Sequence, residues 1–377
     1  MGGKDNPDRQ VSWAQVAAFR LARHHLAGAR RASLVEVCRD VCGIQAQLMA
    51  SAEMAIWARK RDLARDDIAT ALWERRTLVK THLMRQTLHL IPAADFSLYI
   101  SALKRSRVAG VRQVMSRLDI TDKEAAGLTA AIVGSLADGP RTQKEIRARV
   151  RPKMGKRVKK WMDLVWSAVR PAVVEGLACY GPDRGAETTY VLTAQWLPKQ
   201  KPVSESEAKA ILLRRFLGAF GPATVQDFSK WAGMPAPEAR AAWDSLGKEL
   251  APVSVEGWPA MLLRKDLASL ARAALRTPVV CLLPNFDVYL LAHASKTHLL
   301  PTEHYKRVFR NQGWISPVVL LDGRIIATWS STRRGKGMIL EVQPFEKISK
   351  AVRAGIEQKA ASWGAFLETY CEMKVRE

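Results

Sequence analysis

A turn that occurs twice in the chain constrains its fold more than any other feature. Gly139-Pro140-Arg141-Thr142 and Gly221-Pro222-Ala223-Thr224 share their glycine, proline and threonine at equal separations. In each copy the threonine stands three residues before an acidic residue, Glu145 or Asp227, which is a pattern typical of a helix N-cap. Helical periodicity precedes and follows both turns. The repeat therefore predicts two helix–turn–helix units.

Each unit continues into residues that favour a β-hairpin, so we predict two winged-helix modules, at residues 120–196 and 204–275. The expected elements of the first are helices 122–137, from Thr142 onward and 157–176, with strands 177–180 and 189–193. Those of the second are helices 205–219, from Thr224 onward and 237–250, with strands near Val253 and at 261–263.

Residues 11–95 follow the same order and are predicted to form a further winged-helix-like module. Ser33 and Glu36 form a capping box that starts its second helix. A third apolar-periodic stretch runs from about Gln45 to Lys60. The β-prone segments 77–81 and 83–90 then indicate a wing-like hairpin.

In residues 278–377, the sequence pattern changes from one typical of helices to one typical of strands. Asp322-Gly323 between two apolar runs is the strongest short hairpin signal, and the polar, basic segment 330–337 is a second candidate hairpin tip. The predicted strands are 279–283, 288–291, 318–321, 324–329 and 338–342. The predicted fold class is therefore α+β, with tandem winged-helix modules and a β-rich C-terminal part.

The chain is strongly basic, with 59 Lys+Arg against 36 Asp+Glu and a formal net charge of +23. This excess favours a polyanionic partner such as nucleic acid, while a solubilising basic surface is the alternative. Basic side chains cluster in segments 147–160 and 333–336. Phosphate binding by such clusters is strong and salt-sensitive.

Several features indicate where the protein acts. The longest apolar runs are too short to span a membrane, and the N-terminal residues 1–7 contain no apolar core of a signal peptide. The five cysteines are scattered without a CxxC pair, which favours buried free thiols. We expect a cytoplasmic, nucleoid-associated protein.

Motifs of several nucleic-acid enzymes are absent from the sequence. It has no Walker loop, no HExxH, no GxGxxG between strand and helix, and no clustered carboxylates for two metal ions. We predict a reaction without a metal ion or another cofactor.

Ile44-Gln45-Ala46-Gln47 places two neutral amides two positions apart at the predicted start of the third helix. Backbone N–H groups are free at a helix start, and both side chains can face one cavity there. Taken alone, the pattern favours ordinary capping or solvent-facing glutamines over a functional site.

Five segments, in family order, resemble the AlkZ/YcaQ-type winged-helix DNA glycosylases. They are residues 43–47, 81–92, 221–224, 283–291 and 313–319 with 322–324. The family's Gln-x-Gln motif falls on Gln45 and Gln47, as in the AlkZ-like branch, whereas a YcaQ-like branch has aspartate at the second position.

The resemblance implies a metal-free monofunctional glycosylase whose tandem winged helices form a concave cradle for double-stranded DNA. It also implies removal of bulky adducts or unhooking of interstrand crosslinks. A lesion-probing hairpin is implied in the C-terminal strands, with its tip at Asp322-Gly323 or at residues 331–336.

The chemistry of an alkylated purine suits two glutamines. An N7- or N3-alkylated purine is cationic, so it leaves as a neutral base without a strong general acid. Glutamine carbonyls can orient the attacking water and stabilise the oxocarbenium ion. We assign both roles jointly to Gln45 and Gln47, and predict a monomer that hydrolyses the N-glycosidic bond.

Further side chains are predicted to contact DNA: Arg85, His89, Thr142, Lys156, Arg157, Thr224, Arg324, Arg333, Arg334 and Lys336. A structural role is the alternative for Arg85 and His89, and Asp287 is either catalytic or a hydrogen-bonded loop cap. The alternative functions are a winged-helix transcriptional regulator without enzymatic activity and a structural nucleoid protein.

Overall fold

The computed structural model describes residues 10–27 and 31–376, and its class is α+β, as predicted. The helices are α1 Trp13–Arg23, α2 Leu34–Asp40, α3 Met49–Trp57, α4 Asp67–Ala69, α5 Phe96–Ser116, α6 Asp122–Ser135, α7 Gln143–Val150, α8 Lys156–Leu164, α9 Arg170–Val174, α10 Thr193–Trp196, α11 Glu205–Phe220, α12 Val225–Ala232, α13 Ala236–Leu246, α14 Leu267–Ala271, α15 Tyr305–Val308 and α16 Lys350–Phe366.

The strands are β1 Gln10–Val11, β2 Ile44–Gln45, β3 Leu78–His82, β4 Leu88–Pro92, β5 Arg141–Thr142, β6 Ala178–Tyr180, β7 Thr189–Leu192, β8 Leu250–Val255, β9 Trp258–Leu263, β10 Val280–Leu283, β11 Val318–Leu321, β12 Arg324–Arg334, β13 Gly337–Pro344 and β14 Tyr370–Val375. In the described residues, we find no helix with both the length and the apolar character needed to cross a membrane.

The chain divides into two compact units. The larger unit comprises Met1–Ile68, Leu213–Trp231 and Ala236–Glu377, and the smaller unit comprises Ala69–Leu212 and Ala232–Pro235. Each unit is held by cores of its own buried side chains.

Side-chain caps start several helices where the sequence predicts them. α2 and α7 each begin with a reciprocal capping box, at Ser33 and Thr142. At the start of α12, the Thr224 hydroxyl accepts from the Asp227 backbone N–H at 3.2 Å and donates to the Asp227 carboxylate at 2.7 Å. Each cap satisfies N–H groups that a helix start leaves without partners.

In the smaller unit, α6 to α9 surround one apolar core, to which Leu128, Ile146 and Trp161 contribute. Strands β5, β7 and β6 form an antiparallel sheet in that order. The predicted single helix over 157–176 is instead α8 and α9. α8 ends where the Val165 backbone becomes extended, and a proline in the first turn suits the start of α9.

In the larger unit, strands β10 to β14 form a sheet in sequence order. The pairs from β10 to β13 are antiparallel, whereas β14 runs parallel to β13. Helix α16 covers this sheet through Ile356 and Trp363, which pack with Leu282 and Leu340. A second group pairs β1 in parallel with β8, and β8 antiparallel with β9.

The predicted strand at residues 288–291 is wrong, because Val288–Leu290 form a 3₁₀ helix. Phe286 has a left-handed φ of 59°, and the Asp287 carboxylate accepts from the Tyr289 backbone N–H at 2.9 Å. Such an aspartate-capped turn competes with extended backbone, and here it determines the local structure.

Candidate active site and nucleic-acid interface

The two motif glutamines lie before α3, not at its start. After α2, Cys42 and Gly43 have left-handed φ values of 59° and 93°, and the chain then passes into β2. Gln45 is on β2, and Gln47 lies between β2 and α3, which begins at Met49. The predicted helix start at Gln45 is therefore wrong, because the turn at Gly43 leads into a short extended segment.

The two glutamines differ in exposure. Gln45 is 7% exposed, whereas Gln47 is exposed to solvent. Of the two, only Gln45 belongs to β2, and Gln47 lies in the bend that follows it. Gln47 is therefore the more accessible of the two amides.

A cleft of about 680 Å³ lies in the larger unit beside α3. Its lining includes Ser51, Glu53 and Met54 of α3, Ser330 at the root of the β12–β13 hairpin, and Trp314, which is 42% exposed. Burial raises the pKa of the half-buried Glu53 carboxyl, and the Arg65 charge opposes that shift. Glu53 is not among the residues predicted from the sequence, where its available signal was its place six residues after Gln47.

The two candidate hairpin tips differ in accessibility. Gly335 and Lys336 connect β12 to β13, and all side chains from residue 331 to 336 are exposed. At the other tip, the Asp322 carboxylate accepts from the Val279 backbone N–H at 2.8 Å, and Gly323 is buried. The basic tip with Arg333, Arg334 and Lys336 is therefore the tip that is open to a ligand.

The other predicted DNA contacts divide by burial. Lys156, Arg157 and Arg324 are exposed, and Arg157 is within ion-pair distance of an acidic neighbour. Thr142 is 3% exposed, and its hydroxyl caps α7, as the Thr224 hydroxyl caps α12. Both threonines therefore serve as helix caps, and Thr142 offers almost no surface to a phosphate.

His89 and Arg85 belong to the β3–β4 hairpin. His89 is 1% exposed, with Nδ1 3.0 Å from the Thr87 carbonyl oxygen, and burial lowers its pKa to about 3. The structure contradicts a phosphate contact at His89, because the ring is buried and neutral. Arg85 is partly exposed, and burial lowers its pKa to about 10, which leaves it charged at neutral pH.

Buried histidines are expected to make the fold sensitive to acid. The pKa of His89 is lowered to about 3, against about 6.5 in an unfolded chain. The unfolded chain therefore takes up the proton first, so this contribution is complete above pH ~6.5 and is lost as the pH falls toward ~3. Between pH ~8 and pH ~4.5, His89 alone is expected to cost about 3 kcal/mol of unfolding free energy.

Denaturant titrations of the native chain and of His89→Asn at the two pH values measure this contribution. Asparagine keeps an N–H donor toward Thr87 but cannot be protonated, so the variant is expected to lose less stability on acidification. An equal loss in both proteins would contradict the prediction.

Asp287 is a loop cap and the partner of a buried arginine. Arg59 donates two hydrogen bonds to its carboxylate, at 2.6 and 2.8 Å, and both side chains are fully buried. Arg59 also donates to the Ala55 carbonyl oxygen at 2.7 Å, in the last turn of α3. The loop-cap alternative for Asp287 is confirmed, and the ion pair fixes the helix that follows the two glutamines.

The Gly221–Thr224 turn has a structural role as well. The buried Arg20 donates to the Pro222 carbonyl oxygen at 2.8 Å and to the Gly221 carbonyl oxygen at 3.3 Å. A Cβ on Gly221 would lie 2.5 Å from the Leu217 carbonyl oxygen, so glycine is required there.

Comparisons with known proteins agree with these observations. The family model described as DNA glycosylase AlkZ-like matches residues 38–366. The chain belongs to the AlkZ-like DNA glycosylase family. The match confirms the resemblance seen in the sequence. This glycosylase is therefore an enzyme that acts on DNA and hydrolyses N-glycosidic bonds. The alternative of a transcriptional regulator without enzymatic activity is wrong.

Two relatives come from Streptomyces sahachiroi. This glycosylase is 31% identical over 364 residues to its "Interstrand DNA cross-link repair glycosylase", with 93% of this chain and 95% of the relative covered. The solved structure of its DNA glycosylase AlkZ has a TM-score of 0.85 and 29% identity, and covers 97% of this chain and 100% of that one.

Proposed function

We propose that this glycosylase excises N7- and N3-alkylated purines from double-stranded DNA, including bulky adducts and interstrand crosslinks, through Gln45 and Gln47. The observation that carries the proposal is the position of the two amides in the segment before α3, one shielded and one exposed. The name of the Streptomyces sahachiroi relative supports the extension to crosslinks.

Both amides act on the deoxyribose rather than on the base. The alkylated purine is already cationic, so breakage of its bond to C1′ releases a neutral base and leaves the positive charge on the sugar. Carbonyl oxygens held near C1′ stabilise that charge and orient the attacking water. Shielding of Gln45 strengthens this interaction, because electrostatic effects are larger away from bulk water.

We propose that residues 11–95, 120–196 and 204–275 act as winged-helix modules on the duplex, followed by the β-rich part 278–377. Support comes from the recurrence of one element order. Helices α6 to α9 precede the β6–β7 hairpin, and helices α11 to α13 precede the β8–β9 hairpin. Such modules place a helix in the major groove. We propose that the wings contact the phosphate backbone and that a chain with several modules binds as a monomer.

The β12–β13 hairpin is proposed to contact DNA phosphates through Arg333, Arg334 and Lys336. Replacement of all three by glutamine is expected to lower the slope of log affinity against log salt by about 2.7, because each lost phosphate contact removes about 0.9. Duplex binding measured between about 50 and 200 mM salt tests this. A slope equal to that of the native chain would place the hairpin outside the interface.

The proposed function is tested with a duplex that contains one N7-alkylguanine. Incubation with excess protein is expected to give abasic sites, detected as strand breaks after alkali treatment. A panel of methyl, bulky and crosslinked N7 adducts then identifies the preferred lesion. Intact lesions across the whole panel would overturn the proposal.

A further inference from the structure

The connection between α8 and α9 presents a tryptophan to solvent. Trp166 is 94% exposed, and Leu164 beside it is 68% exposed. Large apolar side chains are usually buried, and neighbouring exposed ones bordered by polar groups are typical of an interaction surface. Exposure of these two apolar side chains to water is unfavourable, and packing within the smaller unit does not account for it.

The backbone under Trp166 is held by hydrogen bonds from α7. Gln143 donates to the Trp166 carbonyl oxygen at 2.6 Å, and Arg147 donates to the Val165 carbonyl oxygen at 2.7 Å and also to that of Met162. The indole therefore projects from a fixed support. A side chain presented in this way loses less conformational freedom on binding than one on a loose loop.

Lysine side chains lie on the same face of α8 as the exposed Leu164. Lys156, Lys160 and Leu164 are spaced by four residues, so they share one face of the helix. That face is solvent-exposed, whereas Val158 and Trp161 are buried. The arrangement presents two ammonium groups followed by an apolar end, which complements a phosphate backbone with a stacked base surface beside it.

We propose that this α8 surface, formed by Lys156, Lys160, Leu164 and Trp166, binds duplex DNA. The two lysines contact phosphates, and Trp166 with Leu164 enters the groove and packs against the bases. Apolar wedges of this kind partly unstack base steps, and aromatic rings stack on bases without sequence preference. The inference rests on the proposed function and adds a contact with its DNA substrate.

Affinity for an undamaged duplex tests the α8 surface. Trp166→Ala is expected to lower affinity about tenfold with an unchanged salt slope, as for other base-stacking aromatics, and Trp166→Phe to retain most of it. Lys156→Gln with Lys160→Gln is expected to lower the slope by about 1.8. Tyr305→Ala, which removes an aromatic ring that is 43% exposed on α15, serves as the control and is expected to bind like the native chain.

The outcomes separate this inference from the proposed function. If the Trp166→Ala variant binds the duplex with native affinity and excises N7-alkylguanine, the α8 surface is overturned and the proposed function stands. That result would point to a protein partner for the exposed indole. Weaker binding by Trp166→Ala without any excision by the native chain would support the surface and overturn the function. Thermal melts confirm that the variant is folded.

Discussion

Alanine at both Gln45 and Gln47 is expected to reduce the single-turnover rate of N7-alkylguanine excision by at least about 10³-fold. Loss of one preorganised polar group in other active sites costs about 10²- to 10³-fold, and both amides are proposed to act in the transition state. Affinity for the same duplex is expected to stay near the native value, because the double variant removes no positive charge.

A glutamine outside the site provides the control. Gln358 is exposed on α16, and Gln358→Ala is expected to leave excision unchanged. The single variants show whether the shielded Gln45 contributes more than the exposed Gln47. Native excision rates in the double variant would exclude both amides from the chemistry and would make Glu53, with its raised pKa, the next side chain to test.

Asp287→Ala is expected to lower the free energy of unfolding by about 3–5 kcal/mol, since it leaves the buried Arg59 guanidinium without its counter-charge. Replacement of the pair by Arg59→Met with Asp287→Leu is expected to recover much of that loss, because no buried charge then remains. Denaturant titrations monitored by far-UV circular dichroism measure both effects.

An exposed pair with similar geometry gives the comparison. Arg214 donates two hydrogen bonds to the Glu249 carboxylate, at 2.8 and 2.7 Å, with side chains 38% and 48% exposed. Glu249→Ala is expected to change the free energy of unfolding by no more than about 1 kcal/mol, because solvent screens an exposed pair. Equal losses for Asp287→Ala and Glu249→Ala would contradict the role assigned to burial.

Local signals in the sequence predicted many elements correctly. The caps at Ser33, Thr142 and Thr224 appear as predicted, and Asp322-Gly323 joins β11 to β12 with φ values of 52° and 85°. These signals succeed because the interacting groups are within four residues of one another. Their local energies are large enough to select one backbone conformation.

Other elements depend on partners that are distant in the chain. No strand is predicted from the sequence at residues 370–375, yet β14 pairs in parallel with β13, more than twenty residues away. Residues 288–291 are apolar and β-prone, but the Asp287 cap and its bond to Arg59 hold Val288–Leu290 as a 3₁₀ helix. The hydrophobic periodicity and the strand propensity of a segment do not reveal its contacts with residues that are distant in the sequence.

The sequence by itself determined the family, the basic character, the motif glutamines and the helix starts at Ser33, Thr142 and Thr224, because each depends on residue identity or on contacts between near neighbours. The tertiary structure decided which of the candidate groups are accessible. It buried His89 and Gly323, and left the tip at residues 331–336 and the Trp166 indole exposed. Accessibility depends on which distant segments cover a side chain, and it is therefore settled only when the chain has folded.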